Sequence, residues 1–321
     1  MKRLIAALGL LAALLLTGCS GSNAESATSG GGTPEQPEVA VITGSYGTPA
    51  AKYAIDAFEE LGTGKGWKVT VSDTDFDFNQ VNSLMQDAAL RKVDAIVLGF
   101  PTPEQITVGL KAANDAEVPV YVIDGGTAPM EGVTLNVTSD SGQLAEISAQ
   151  ALLDAMGGPG KVLVIGHDPH PGIRLRTAEA IEYLEAAGAQ IVDVKQVREP
   201  ASSQGEALNF TNDFLQAHQD QDDLDGVWAG WDAAAMGVVQ SLNSAGRTEV
   251  PVTGIDATDQ AVAEIKKDGP FTATVFQDWD AIVGRLAEVM EADFAGTDPG
   301  TNFEEKPGVL VTEDNAETFN P

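Results

Sequence analysis

From Glu38 onward the chain alternates two kinds of apolar pattern. Short unbroken runs come first: Val39-Ala40-Val41-Ile42, Val69-Thr70-Val71, Ala95-Ile96-Val97-Leu98 and Val118-Pro119-Val120-Tyr121-Val122-Ile123. Between them, over residues 49–61, 79–91 and 103–116, apolar side chains recur at helical spacing. In the second stretch Val81, Leu84, Met85 and Ala88 share one face. A strand that is apolar at every position has both faces buried, and strands of this kind spaced by helices predict a parallel sheet covered on both sides.

The pattern then restarts. Helical spacing returns over 143–156, 177–187, 205–218 and 233–244, and strands are predicted at 161–165, 190–197, 226–229 and 250–255. Two successive arrays predict an α/β chain of two similar, doubly wound parallel-sheet domains. In such sheets ligands sit beyond the carboxyl ends of the strands, so two domains facing each other across those ends make a closable cleft.

The 321 residues suit two cores rather than one. The 34 glycines and 16 prolines fit an α/β fold with many turns. A formal charge of −30 argues against nucleic acid as a partner, because phosphate backbones recruit Lys and Arg.

The first 37 residues follow other rules. Lys2 and Arg3 precede an apolar stretch, residues 4–16, of signal-peptide length and too short to span a bilayer comfortably. It ends in Leu16-Thr17-Gly18-Cys19, which resembles the lipobox of bacterial lipoproteins. That resemblance implies removal of residues 1–18 and a diacylglyceryl group on Cys19, which would anchor the chain at the outside of the cell membrane. Each buried methylene contributes roughly 0.8 kcal/mol to such anchoring. Cys19 is the only cysteine, so no internal disulfide can form. Residues 19–37 are rich in Ser, Gly, Thr, Glu and Pro and read as a flexible tether, with folding expected to begin near Glu38.

Several motifs in the folded part occur in a telling order. Gly99-Phe100-Pro101-Thr102 follows the third strand, and Asp115-Ala116-Glu117-Val118-Pro119-Val120 precedes Ile123-Asp124. Ser139-Asp140, Arg174-Leu175-Arg176-Thr177, Ala229-Gly230-Trp231-Asp232, Thr253-Gly254-Ile255-Asp256 and Ala273-Thr274-Val275-Phe276-Gln277 come next. In this order they resemble the ribose-binding type of periplasmic binding protein, the type I solute-binding proteins of ABC importers. The resemblance implies a three-segment hinge. One lobe would span residues 38–140 plus about 278–305, and the other 141–277 plus about 306–321. It also implies a small sugar or polyol ligand, an ABC permease as partner, a monomer, and no cofactor.

The same resemblance implies ligand contacts at Asp124, Arg176, Asp256 and Gln277. A carboxylate accepts from vicinal hydroxyls, and a guanidinium donates in a fixed fork. Arg174 competes with Arg176, and Asp256 could instead cap the helix that follows it. Where the family commonly has Asn, this chain has Trp231, whose indole offers a flat face and one N–H, or else packs in the core. Asp232 reads as a helix cap. Gly125-Gly126 stands where an Arg often follows the first Asp. The aromatic pair usual after the first strand is missing from Gly44-Ser45-Tyr46-Gly47, leaving Tyr46 as a candidate to stack. His167-Asp168-Pro169-His170 follows a strand; it could bind zinc, although a loop of polar rim contacts is the stronger reading.

Enzyme readings lack their signatures. No Gly-x-Ser-x-Gly elbow is present. Gly62-Thr63-Gly64-Lys65-Gly66 has helix and strand in the wrong order for a nucleotide loop, and Gly158-Pro159-Gly160-Lys161 lacks the Ser or Thr of a phosphate loop. Paired carboxylates of a secreted glycoside-acting enzyme, and a sensor of the same fold reporting to a membrane receptor, stay open as alternatives. A repressor of this fold would carry a basic helix-turn-helix where this chain has its lipobox-like segment.

Overall fold

A computed structural model describes residues 36–267, 269–298 and 300–319; the segment with Cys19 lies outside the described residues. The first sheet takes β1 (Glu38–Thr43), β2 (Lys68–Asp73), β3 (Ala95–Gly99), β4 (Val120–Ile123) and β5 (Leu135–Ser139). Between these strands run α1 (Pro49–Gly64), α2 (Phe78–Arg91) and α3 (Thr107–Asp115). The second sheet takes β6 (Lys161–Gly166), β7 (Gln190–Gln196), β8 (Gly226–Ala229), β9 (Val252–Asp256) and β10 (Phe271–Gln277). Its helices are α4 (Ser141–Met156), α5 (Pro171–Ala186), α6 (Ser203–Ala217), α7 (Asp232–Ala245) and α8 (Asp259–Ile265). After α9 (Trp279–Phe294) come β11 (Phe303–Lys306), β12 (Gly308–Thr312) and α10 (Glu313–Ala316).

The strand orders are β11-β5-β4-β3-β1-β2 and β12-β10-β9-β8-β6-β7. All pairings are parallel except β10 with β12, which is antiparallel. Alternation along each strand explains the unbroken apolar runs. Val39 and Val41 join one core with Ile55 and Phe58 of α1 and Leu286 of α9, while Ala40 and Ile42 join another with Val81 and Met85 of α2. In the second sheet Leu163 and Ile165 meet Val238 and Leu242 of α7, and Val162 and Val164 meet Leu144 and Leu152 of α4. The result is two α/β lobes, each a three-layer sandwich. The chain passes between the sheets three times: from β5 to α4, from β10 to α9, and from β11 to β12.

Several elements depart from the sequence reading for identifiable reasons. The strand β5, Leu-Asn-Val-Thr-Ser, is buried at every position yet half polar, so it carries no apolar run. Two of its polar side chains are consumed locally: Asn136 and Thr138 bind the loop at the end of β4. The helix expected over 103–116 divides into a single 3₁₀ turn, Pro103–Gln105, and α3, with Thr102 and Gln105 forming a capping box. The helix α5 starts at Pro171, six residues before the expected Thr177. Proline lacks the N–H that a first turn leaves unpaired and has its φ preset for a helix, so His-Pro-Gly reads as loop but opens a helix here.

Helices α6 and α7 meet at Gly237. A Cβ there would lie 2.1 Å from the carbonyl oxygen of Gln204 and 2.9 Å from the amide nitrogen of Leu208. Both obstacles are backbone, so neither can swing aside. Gly237→Ala is expected to cost about 1–3 kcal/mol by overpacking, read as a lower urea midpoint; an unchanged midpoint would show that the helices separate freely.

Candidate functional site

Where the strand order reverses, at β1/β3 in one sheet and β6/β8 in the other, loops at the carboxyl ends diverge and leave a crevice. Residues from both lobes line one cavity of about 740 Å³ there. Asp124 reaches it from the end of β4, Trp231 from the end of β8, Asp256 and Gln277 from the ends of β9 and β10, and Arg176 from the second turn of α5.

On the second lobe the polar floor is one linked network, and it faces Asp124 of the first. The Arg176 guanidinium, 2% exposed, donates from Nη1 to the Gly230 carbonyl and from Nη2 to Gln277 Oε1, both at 3.2 Å. Gln277 uses its other end to donate to Asp256 Oδ1 at 2.5 Å. Across the cleft Asp124 accepts from the Thr138 hydroxyl. Burial lowers the pKa of Arg176, while the charges of Asp124 and Asp256 hold it up. Burial pushes Asp256 up to about 7; Arg176 and the Gln277 hydrogen bond pull it down, and Asp124 adds to the rise. Two carboxyls around one guanidinium, with oxygen lone pairs to spare, suit a neutral partner bearing several hydroxyls.

Backbone strain sits in the same place. Phe100 (φ 58°), Asp124 (φ 52°) and Asp256 (φ 128°) occupy the left-handed region immediately after β3, after β4 and at the end of β9. Such conformations cost on the order of 1–3 kcal/mol each and persist where surrounding structure over-determines them. Here they turn the side chains toward the cavity at strand ends.

The remaining sequence candidates divide. Trp231 both packs in the core of its lobe and lines the cavity, with its ring edge-on to His167 at 6.2 Å between centroids. Asp256 does not cap α8; Thr258 does, accepting from the Ala261 amide. Asp232 caps nothing either. Fully buried, its carboxyl accepts from the Thr258 amide and the hydroxyls of Thr258 and Thr274, tying α7 to the loop after β9. Burial, then the charge of Asp256, raises its pKa well above the usual carboxylate range. Arg174 turns out of the network and donates to the Asp168 carbonyl at 2.6 Å. His167 donates from Nδ1 to the Val197 carbonyl at 2.8 Å, and His170 caps α5. Both histidines line the cavity.

Tyr46 does not line it. Its hydroxyl donates to Asp56 at 2.5 Å and its ring lies under the Lys52 ammonium, so the side chain is held against α1 by a local charge pair. The aromatic wall comes from elsewhere: Phe76 and Phe78 after β2, Phe100 after β3, and Trp279 at the start of α9. Phe78 lies over the glycine that follows β1; a Cβ at Gly44 would stand 3.1 Å from its ring. The aromatics missing after the first strand are thus replaced from the second. At Gly125 a Cβ would meet Val122 Cγ1 at 2.3 Å and the Pro101 carbonyl at 3.1 Å, so the position has no room for an arginine.

The chain matches the family model described as a periplasmic binding protein domain over residues 39–297. It belongs to that family. This makes it a binding protein rather than an enzyme and places it outside the cytoplasm. It is 29% identical over 290 residues to the D-apiose import binding protein of Actinobacillus succinogenes, covering 88% of this chain and 90% of that one. It is 26% identical to the ribose import binding protein of Bacillus subtilis, covering 89% and 91%. Among solved structures it resembles an ABC transporter solute binding protein from Mycobacterium smegmatis with bound glycerol. The TM-score is 0.77 at 26% identity, with coverage of 88% and 96%. Among the described residues, no helix is long and apolar enough to cross a membrane.

Proposed function

We propose that this chain captures a small sugar or polyol between its lobes and delivers it to the permease of an ABC importer, while lipid on Cys19 holds it at the outside of the cell membrane. The observation that carries the reading is that the hydrogen-bonded set Arg176, Gln277 and Asp256 of one lobe and Asp124 of the other line the same cavity. Acceptors and donors alternate there as vicinal hydroxyls require. Aromatic faces from Phe100, Trp231 and Trp279 take the C–H side of such a ligand. The lobes are 38–140 plus about 278–305 and 141–277 plus about 306–321, and closure around three crossings favours the state with contacts from both. The relatives' names, D-apiose and ribose import, support this ligand class.

Native mass spectrometry tests the reading. Purified chain is mixed with D-ribose, D-apiose, xylitol and myo-inositol. One ligand mass per chain, recovered chemically unchanged, is expected; no adduct with any of them, or a transformed product, would refute it.

A further inference from the structure

Asp232 is the first residue of α7, a place where a carboxylate ordinarily serves the helix's own free N–H groups. Here none of its donors belongs to α7. The side chain is fully buried, and its three hydrogen bonds come from Thr258 and Thr274. Burying a carboxyl is costly, so a buried one with its bonds directed elsewhere is there for what it holds. Room for it is built into the adjacent strand: a Cβ at Gly254 of β9 would stand 2.4 Å from Asp232 Oδ1.

What it holds is the turn that carries Asp256. Asp256 and Ala257 are consecutive non-glycine residues at positive φ, 128° and 53°. Such a pair relaxes unless its surroundings fix it. The Ala257 amide donates to the Thr274 hydroxyl at 3.1 Å, and that hydroxyl donates in turn to Asp232 Oδ1 at 2.7 Å. Thr258 donates to Oδ2 with its amide at 2.9 Å and with its hydroxyl at 3.2 Å. Both residues that follow Asp256 are therefore tied to one carboxyl.

We infer that Asp232 is a positioning residue for ligand capture: its buried carboxyl clasps the turn after β9 and so aims Asp256 into the cavity. Trp231, its neighbour in the chain, lines the same cavity. One side chain thereby sets a carboxylate acceptor and an indole face relative to each other. Without the clasp, the two residues at positive φ relax toward ordinary backbone angles and the Asp256 carboxyl turns toward water.

This role rests on the capture reading, so one measurement needs no ligand. Burial holds the Asp256 carboxyl up at about 7; Arg176, Gln277 and Asp124 also act on it and are the same in every variant below. In a ¹³C NMR titration of the Asp256 carboxyl, Asp232→Ala is expected to lower the midpoint by about one unit or more, because the group gains water. Thr274→Val cuts the relay from Ala257 without changing any charge and is expected to shift the midpoint the same way; it decides the matter if Asp232→Ala does not fold. Affinity is then measured with whichever of D-ribose, D-apiose, xylitol and myo-inositol the wild type binds most tightly. Asp232→Ala is expected to lose about tenfold. Asp232→Asn keeps an acceptor for Thr258 and a donor for the Thr274 hydroxyl, so it is expected to stay within about threefold of wild type. An Asp256 midpoint at the wild-type value in every folded variant overturns the assignment, whether or not any sugar binds. So does native affinity in a folded Asp232→Ala, or an Asp232→Asn as weak as Asp232→Ala. Failure of all four probes on the wild type sinks the capture reading and leaves the carboxyl titration to decide Asp232.

Discussion

Arg176→Met is expected to abolish binding and to weaken the fold at the same time. The guanidinium is buried, bonded to Gly230 and Gln277, and stands between the charges of Asp124 and Asp256. Methionine fills much of the volume but leaves the Gly230 carbonyl and the Gln277 amide oxygen without that donor, and two carboxyls without their counter-charge. Removing one member of a buried charged group costs about 3–5 kcal/mol, chiefly through the charge left behind. Affinity for a sugar or polyol should fall by at least about a hundredfold. Urea unfolding and calorimetry check the two effects separately. A stable variant with native affinity would mean that the network neither holds the lobe nor touches the ligand.

The second large effect is on pH dependence, and its sign follows from Asp256. An unfolded aspartate titrates near 4, whereas in the fold burial pushes Asp256 up to about 7. Between those values the folded chain binds more protons than the unfolded one, so stability falls as pH rises from 4 to 7. The shift corresponds to roughly 4 kcal/mol across that window. Asp232, raised in the same direction, extends the slope. Asp256→Asn should remove a large part of it, read from urea midpoints at pH 4.5 and 7.5. Ligand affinity should run the opposite way. Only the ionised carboxylate offers all its lone pairs to hydroxyls, so affinity should rise from pH 6 to 8, by up to about tenfold per unit below 7, and Asp256→Asn should flatten that rise. A wild-type slope shared unchanged by the variant would assign the titration to another group.

Much of this was legible in the chain because parallel strands buried on both faces leave an unmistakable mark, as in Val39–Ile42 and Ala95–Leu98. β5 left none, because Asn136 and Thr138 spend their polarity on the Asp124 loop rather than on solvent. Asp124, Arg176, Trp231, Asp256 and Gln277 all line the cavity because each is fixed at or near a strand or helix terminus, where position along the chain nearly determines position in space. Tyr46 lies on a loop, and there a local partner, Asp56, decided its direction. Phe76 lies on a loop, and Phe78 opens α2 one residue ahead of the helical spacing expected from Asn79, so neither carries a periodic signal; Phe100 stands in the Gly99–Thr102 motif with nothing in its spacing to mark it as part of an aromatic wall. Their one signal was an aromatic within a few residues of a strand's carboxyl end. His170 was noticed as a possible metal ligand, but its role as the cap of α5 was hidden by a helix start placed six residues too late.

The central claim is that one ligand is held from two lobes at once. Calorimetric titration of the wild type, Asp124→Ala in one lobe and Arg176→Met in the other, each with D-ribose, D-apiose and xylitol, tests it most directly. One-to-one binding of at least one of these by the wild type, lost in each single variant, is the predicted result. Binding that survives either substitution undiminished would place the ligand on one lobe alone and contradict the account.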